Sequence, residues 1–231
     1  MRMMFRVAII LGPTTLLLFS CVKNADPPAL SPQDSLQIVR NNLTYRAEKD
    51  RYFAGDPDSP FHTDTTIAFR GLQWFPIDPR YRALVALHRY ENPETVMVMG
   101  TKGEQRRQLR YGWFEFTVPD ASNTPVLVRI NVYTFTPSDQ LLYRLSRNHL
   151  SVWFTDRTTG KETYHVGRYV DVGEEDPDAE YLYTIDLNKV YNPFCAYSDA
   201  YSCAIPRRED YIDIALRVGE KPYKEMNTRQ Q

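Results

Sequence analysis

Glycine, histidine and cysteine are scarce in this chain, and each scarcity removes a class of chemistry. The ten glycines among 231 residues form no phosphate-cradling loop, no dinucleotide fingerprint and no Gly-x-Ser-x-Gly elbow. P-loop, Rossmann and α/β-hydrolase chemistry therefore have no footing. The four histidines, His62, His88, His149 and His165, stand far apart without ligand spacing. No Cys-x-x-Cys or His-x-x-x-His pattern occurs, so no metal and no other cofactor is expected. Asp56, Asp58 and Asp64 lack the regular spacing of a calcium loop. An excess of one charge is missing as well. The 28 Lys and Arg residues face 29 Asp and Glu residues, with no basic block or tail, which gives no footing for nucleic-acid binding. The apolar run from Val7 to Phe19 is broken by Gly12, Pro13 and two threonines. It is shorter than the roughly 20 residues a transmembrane helix needs.

That run fits the core of an export signal. Arg2 and Arg6 supply the positive start, and the small Ser20 precedes Cys21. The layout predicts a lipoprotein signal peptide over residues 1–20, cut before Cys21, whose thiol receives the lipid. Acyl chains then hold the protein on a membrane, each buried CH₂ contributing roughly 0.8 kcal/mol. Phe19 departs from the pattern, which has a smaller residue two positions before the cysteine. An ordinary secretory signal and a retained anchor are the rival readings. The expected location is the cell envelope, as a membrane-anchored lipoprotein facing the periplasm or on the outer membrane. Residues 21–31 read as a tether: Pro27-Pro28 stiffens it, and nothing in it builds a core.

The rest suits a single domain over residues 32–221 with a polar tail at 222–231. Ser31 is a good N-cap, Pro32 suits the first helical position, and Asp34 completes a capping pattern. Leu36, Val39 and Leu43 then recur at helical spacing, which predicts a helix to about Phe53. From about residue 72 the period changes to two. Strands are expected at Arg82–His88, Thr95–Met99, Gly112–Val118, Pro125–Phe135, Leu150–Asp156, Thr163–Val172, Tyr181–Leu187 and Tyr211–Val218. Sixteen tyrosines and sixteen prolines favour short strands joined by turns. The expected fold is mainly β, an antiparallel sandwich or barrel-like domain behind an N-terminal α-helix.

Two stretches are dense in polar and special residues. The first, Asp156 to Asp171, contains Asp156-Arg157-Thr158-Thr159-Gly160-Lys161-Glu162-Thr163-Tyr164-His165-Val166-Gly167-Arg168-Tyr169. The second contains Asn188-Lys189-Val190-Tyr191-Asn192-Pro193-Phe194-Cys195-Ala196-Tyr197, followed by Cys203 and by Gly219-Glu220-Lys221. With Phe69 to Pro76 and Asp78 to Arg82, these runs resemble the domain of unknown function numbered 1684, found in bacteria and archaea. The resemblance covers roughly residues 50–221. Ala204 and Asp210 depart from it, where proline and asparagine are usual. It brings no established activity.

Cys195 and Cys203 are the pair left once Cys21 is assigned to lipid. In an oxidising envelope the simplest expectation is a disulfide. Zinc with His165 or Glu209, free structural thiols, and a nucleophile served by His165 are the alternatives. The Asp156–Lys161 segment reads first as a turn, with Asp156 bonding backbone amides and Gly160 at positive φ. Arg168, Tyr169, Asn188, Tyr191 and Asn192 are the candidate contacts for a ligand; Arg168 is equally able to pair internally, with Asp171 or Asp186. The expected role is binding or structural. The partner would be a small molecule, a glycan or an envelope protein, besides the membrane reached through Cys21. The alternative is a hydrolase using Glu162, His165 and Asp171 as acid–base groups.

Overall fold

The computed structural model of the chain describes residues 30–63, 68–138, 140–146 and 148–223. The export signal, Cys21 and most of the tether and of the polar tail lie outside the described residues.

The first element is helix α1, Pro32–Gly55. It starts where the sequence places it: the Ser31 side chain accepts from the Asp34 amide at 3.1 Å, and Pro32 opens the first turn. The face that docks differs from the expected stripe. Leu36 and Leu43 are exposed at 59% and 56%, whereas Ile38, Asn42 and Phe53 are buried. The helix seats itself through polar groups reaching loops, described below, and through Phe53 in an aromatic cluster with Phe61, Ala196 and Tyr197.

Among the described residues eight strands follow: β1 Arg82–Ala86, β2 His88–Met99, β3 Gln105–Pro119, β4 Pro125–Phe135, β5 His149–Asp156, β6 Arg168–Glu174, β7 Leu182–Asp186 and β8 Tyr211–Ile212. One sheet runs β2-β3-β4-β5-β6, antiparallel throughout, with β8 lying parallel beside β5. A second sheet is the antiparallel pair β1-β7. The fold is mainly β. The sheets stay open and pack face to face as a sandwich, with no closure into a barrel.

The inward face of each strand supplies the core by simple alternation. Phe114, Phe116 and Val118 of β3 meet Val128, Ile130 and Val132 of β4, and Tyr183 and Ile185 of β7 cover them from the second sheet. The expected Tyr211–Val218 strand is cut short. Only Tyr211–Ile212 pairs, yet Ile214, Leu216 and Val218 continue the alternation into the core.

Candidate functional site

The polar motifs turn first into scaffolding. β5 ends at Asp156, and its carboxylate accepts the Thr158 amide at 2.6 Å, forming the expected turn. Gly160 there has φ +75°. Arg168 opens β6 and is 1% exposed. Its guanidinium donates to Asp156 Oδ2 at 2.8 Å, to the Leu216 carbonyl at 2.9 Å and to the Val218 carbonyl. Burial pushes its pKa down, and the Asp156 carboxylate opposes that. Arg168 is thus no ligand contact: it pairs internally, and with Asp156 rather than Asp171 or Asp186. In β5-β6 pairing it stands opposite Phe154, two positions before Asp156 on the same face.

Asn188 and Asn192 are also fully buried. The Asn188 amide donates to the Asp78 carbonyl and to Asp186 Oδ1, each at 2.9 Å, and its oxygen accepts the Asp78 amide at 2.8 Å. The Asn192 amide donates to Glu220 Oε1 at 2.9 Å and to the Lys221 carbonyl at 2.8 Å. Glu220, itself buried, accepts Lys49 Nζ at 2.8 Å and the Tyr197 hydroxyl. Tyr191 lies under Lys49, whose Nζ is 4.4 Å from the ring centroid, and burial pushes its phenol up to about 12. Tyr169 gives its hydroxyl to the Ala204 carbonyl. All five expected contacts therefore hold loops to one another or to α1, and Arg168, Asn188 and Asn192 face no solvent.

Sequence reasoning found Asn192 and the Gly219-Glu220-Lys221 run but not their link, and it missed Lys49. No local signal marks Lys49, because its partner lies 171 residues away. The same holds for Asn42, whose amide donates to Asp186 Oδ2 at 2.8 Å.

An open groove of about 300 Å³ adjoins this scaffold, lined by Asp171 and Val172 of β6, Tyr181 to Thr184, Asp186 and Lys189. It exists because two strand edges face each other without a ladder. β7 pairs only with β1, and β6 gains only the Tyr169–Tyr191 bridge beyond β5, among the described residues. Asp171 is exposed and accepts the Gly173 amide at 3.0 Å. Lys189 Nζ lies 5.2 Å from the Tyr45 ring centroid and forms no ion pair among the described residues. Tyr181 is 45% exposed.

The acid–base set does not assemble. Glu162 is held by Nε and one Nη of Arg217 at 2.7 and 2.8 Å, and these bonds lower its carboxyl pKa. His165 lies against the Tyr164 ring, 4.6 Å between centroids. No hydrogen bond or ion pair among the described residues joins Glu162, His165 and Asp171, and only Asp171 reaches the groove.

Cys195 and Cys203, expected to be bonded as the leftover pair in an oxidising compartment, lie side by side as partly exposed free thiols. The Cys195 amide donates to Cys203 Sγ at 3.2 Å. The Tyr164 hydroxyl stands 3.8 Å from Cys195 Sγ and donates to the Cys195 carbonyl at 3.3 Å. A hydrogen bond from Cys203, with help from Tyr164 and Thr101, brings the Cys195 thiol down to about 7, while the same bond and burial push Cys203 up. A phenol, not His165, is therefore the group at Cys195. Glu209, weighed as a zinc ligand, is engaged by Arg207 at 2.6 Å.

A β-sandwich with a buried polar scaffold and an edge groove is the class of domain these features define. The chain belongs to the family described as "Protein of unknown function (DUF1684)", whose model matches residues 67–221. The structure is similar to the solution NMR structure of an uncharacterized protein of Haloarcula marismortui, with 28% sequence identity and a TM-score of 0.55. The match covers 83% of this chain and 97% of that one. A search of the curated proteins gave no match. Helix α1 precedes the segment that the family model matches, yet it supplies Lys49 and Asn42 to the scaffold.

Proposed function

We propose that this protein is a lipid-anchored envelope binding module whose site is the groove between β6 and β7, and that its ligand is a saccharide. The observation that carries this reading is the pairing, in one open cleft, of a half-exposed tyrosine with an exposed carboxylate and an ammonium that forms no ion pair among the described residues: Tyr181, Asp171 and Lys189. Sugars offer an apolar C–H face to an aromatic ring and hydroxyls to charged groups, the combination of apolar wall and few polar anchors typical of small-ligand sites. Of the candidate ligand and acid–base residues named from the sequence, only Asp171 lines this groove. The hydrolase alternative retains only Asp171 at the groove.

Titration with maltotriose and with tri-N-acetylchitotriose, followed by backbone amide NMR, tests the proposal. At least one should shift the amides of residues 171–172 and 181–189 without being cleaved. Tyr181→Ala and Lys189→Met should each weaken binding about tenfold, which corresponds to about 1.4 kcal/mol. Shifts confined to another face, or none with either sugar, would overturn it.

A further inference from the structure

We propose that Cys195 and Cys203 form a reversible thiol–disulfide exchange site, with Cys195 as the attacking thiol and Cys203 as the resolving one. This goes beyond a static bridge and does not rest on the groove.

Three observations carry it. First, both cysteines are partly exposed residues, and their side chains are adjacent. Second, the segments that carry them are held by bonds that do not need a sulfur–sulfur link. The Thr101 amide donates to the Cys203 carbonyl at 2.9 Å, and the Cys203 amide to Thr101 Oγ1 at 3.1 Å. Around Cys195, the Ala196 amide reaches the Pro193 carbonyl at 2.9 Å, and that of Tyr197 reaches Phe194 at 3.0 Å. The reduced form is thus a complete structure, as a pair that cycles requires. Third, the two thiols are unequally placed. The Tyr164 hydroxyl stands 3.8 Å from Cys195 Sγ, whereas Cys203 Sγ accepts the Cys195 amide at 3.2 Å; with Cys203 beside it, the Cys195 thiol is the one brought down, to about 7. An attacking thiol works best when its pKa lies near the ambient pH.

The exchange balances with a disulfide R–S–S–R as oxidant. The Cys195 thiolate attacks one sulfur, forming a mixed disulfide and releasing RS⁻. The Cys203 thiol passes its proton to that RS⁻ and attacks Cys195 Sγ, closing the internal bond and expelling the second RS⁻, which takes a proton from water. Two electrons pass to the partner, which leaves as two thiols.

Glutathione disulfide is the probe. Added to the reduced protein, it should remove both thiols from maleimide labelling, and excess reduced glutathione should restore them. Cys203→Ser should stall as a glutathione adduct on Cys195. Cys195→Ser should react at least about tenfold more slowly. In the wild type, the first step should accelerate as pH rises through about 7, and Tyr164→Phe should slow it. Addition of either trisaccharide should leave these rates unchanged, separating this site from the groove. A bond that reduced glutathione cannot open, or equal rates in the two cysteine variants, would overturn the proposal. The wild-type titration decides even if a variant misfolds.

Discussion

Arg168 brings a full charge to a place almost without solvent, where one carboxylate and two carbonyls receive it. Removing one member of a buried ion pair leaves the other without compensation, a loss of about 3–5 kcal/mol. Arg168→Met should lower stability by that order in urea denaturation, since Asp156 keeps only its Thr158 donors. Unchanged stability with lost ligand binding would restore Arg168 as a contact residue. At this scale the sequence was readable over short range only. The Asp156 turn spans a few residues and was foreseen, whereas Cys195 and Cys203 were expected bonded and lie adjacent as free thiols. The partner of Arg168 was missed because it depends on strand register: Asp171, three positions along β6, points to the opposite face. The inequality of the two cysteines was invisible too, because Tyr164 comes from another segment.

Among the elements, the final segment shows most clearly what periodicity does and does not reveal. Ile212, Ile214, Leu216 and Val218 alternate and are all buried, as a strand would have them. Yet the carbonyls of Leu216 and Val218 turn to Arg168 in place of a neighbouring strand. Alternation reports which side chains face inward, whereas pairing depends on what lies beside them. Helix α1 is the converse case. Its caps and length were legible, but its docked face is chosen by Asp186 and Glu220 far along the chain, so the Leu36–Leu43 stripe stays outside. Gly219 ends this final segment at φ +77°, and a Cβ there would lie 2.2 Å from Val190 Cγ2 and 2.7 Å from the Val190 carbonyl oxygen. Gly219→Ala combines backbone strain, about 1–3 kcal/mol, with a backbone clash. Thermal unfolding should show a marked loss of stability, larger than for alanine at Gly173, where the added carbon meets nothing within 4 Å.

For the whole molecule, composition and strand count were enough for a mainly β sandwich behind a helix, because core alternation and turn chemistry are local signals. The edge groove was not legible, since it arises from two strands that fail to pair, a property of assembly rather than of either sequence. How the molecule is deployed is a separate matter, and it turns on Cys21. The proposed anchor predicts palmitate labelling of the protein in bacterial cells, lost in Cys21→Ser. Labelling that persists in that variant would refute the anchor while leaving the groove and the thiol pair untouched.

The last described residues complete contacts begun much earlier. Phe75 donates to the Gly219 carbonyl, Lys221 to that of Gln73, and Glu220 to that of Val190. Arg168 finds its carbonyls at Leu216 and Val218, and Lys49 its carboxylate at Glu220. A chain leaving the ribosome N-terminus first therefore exposes α1 and β6 well before their acceptors have been made. Such distant closure is intrinsically slow. The native state forms after synthesis of the domain rather than during it, and a nascent chain stopped short of residue 216 holds a buried arginine's place with nothing but Asp156 to receive it.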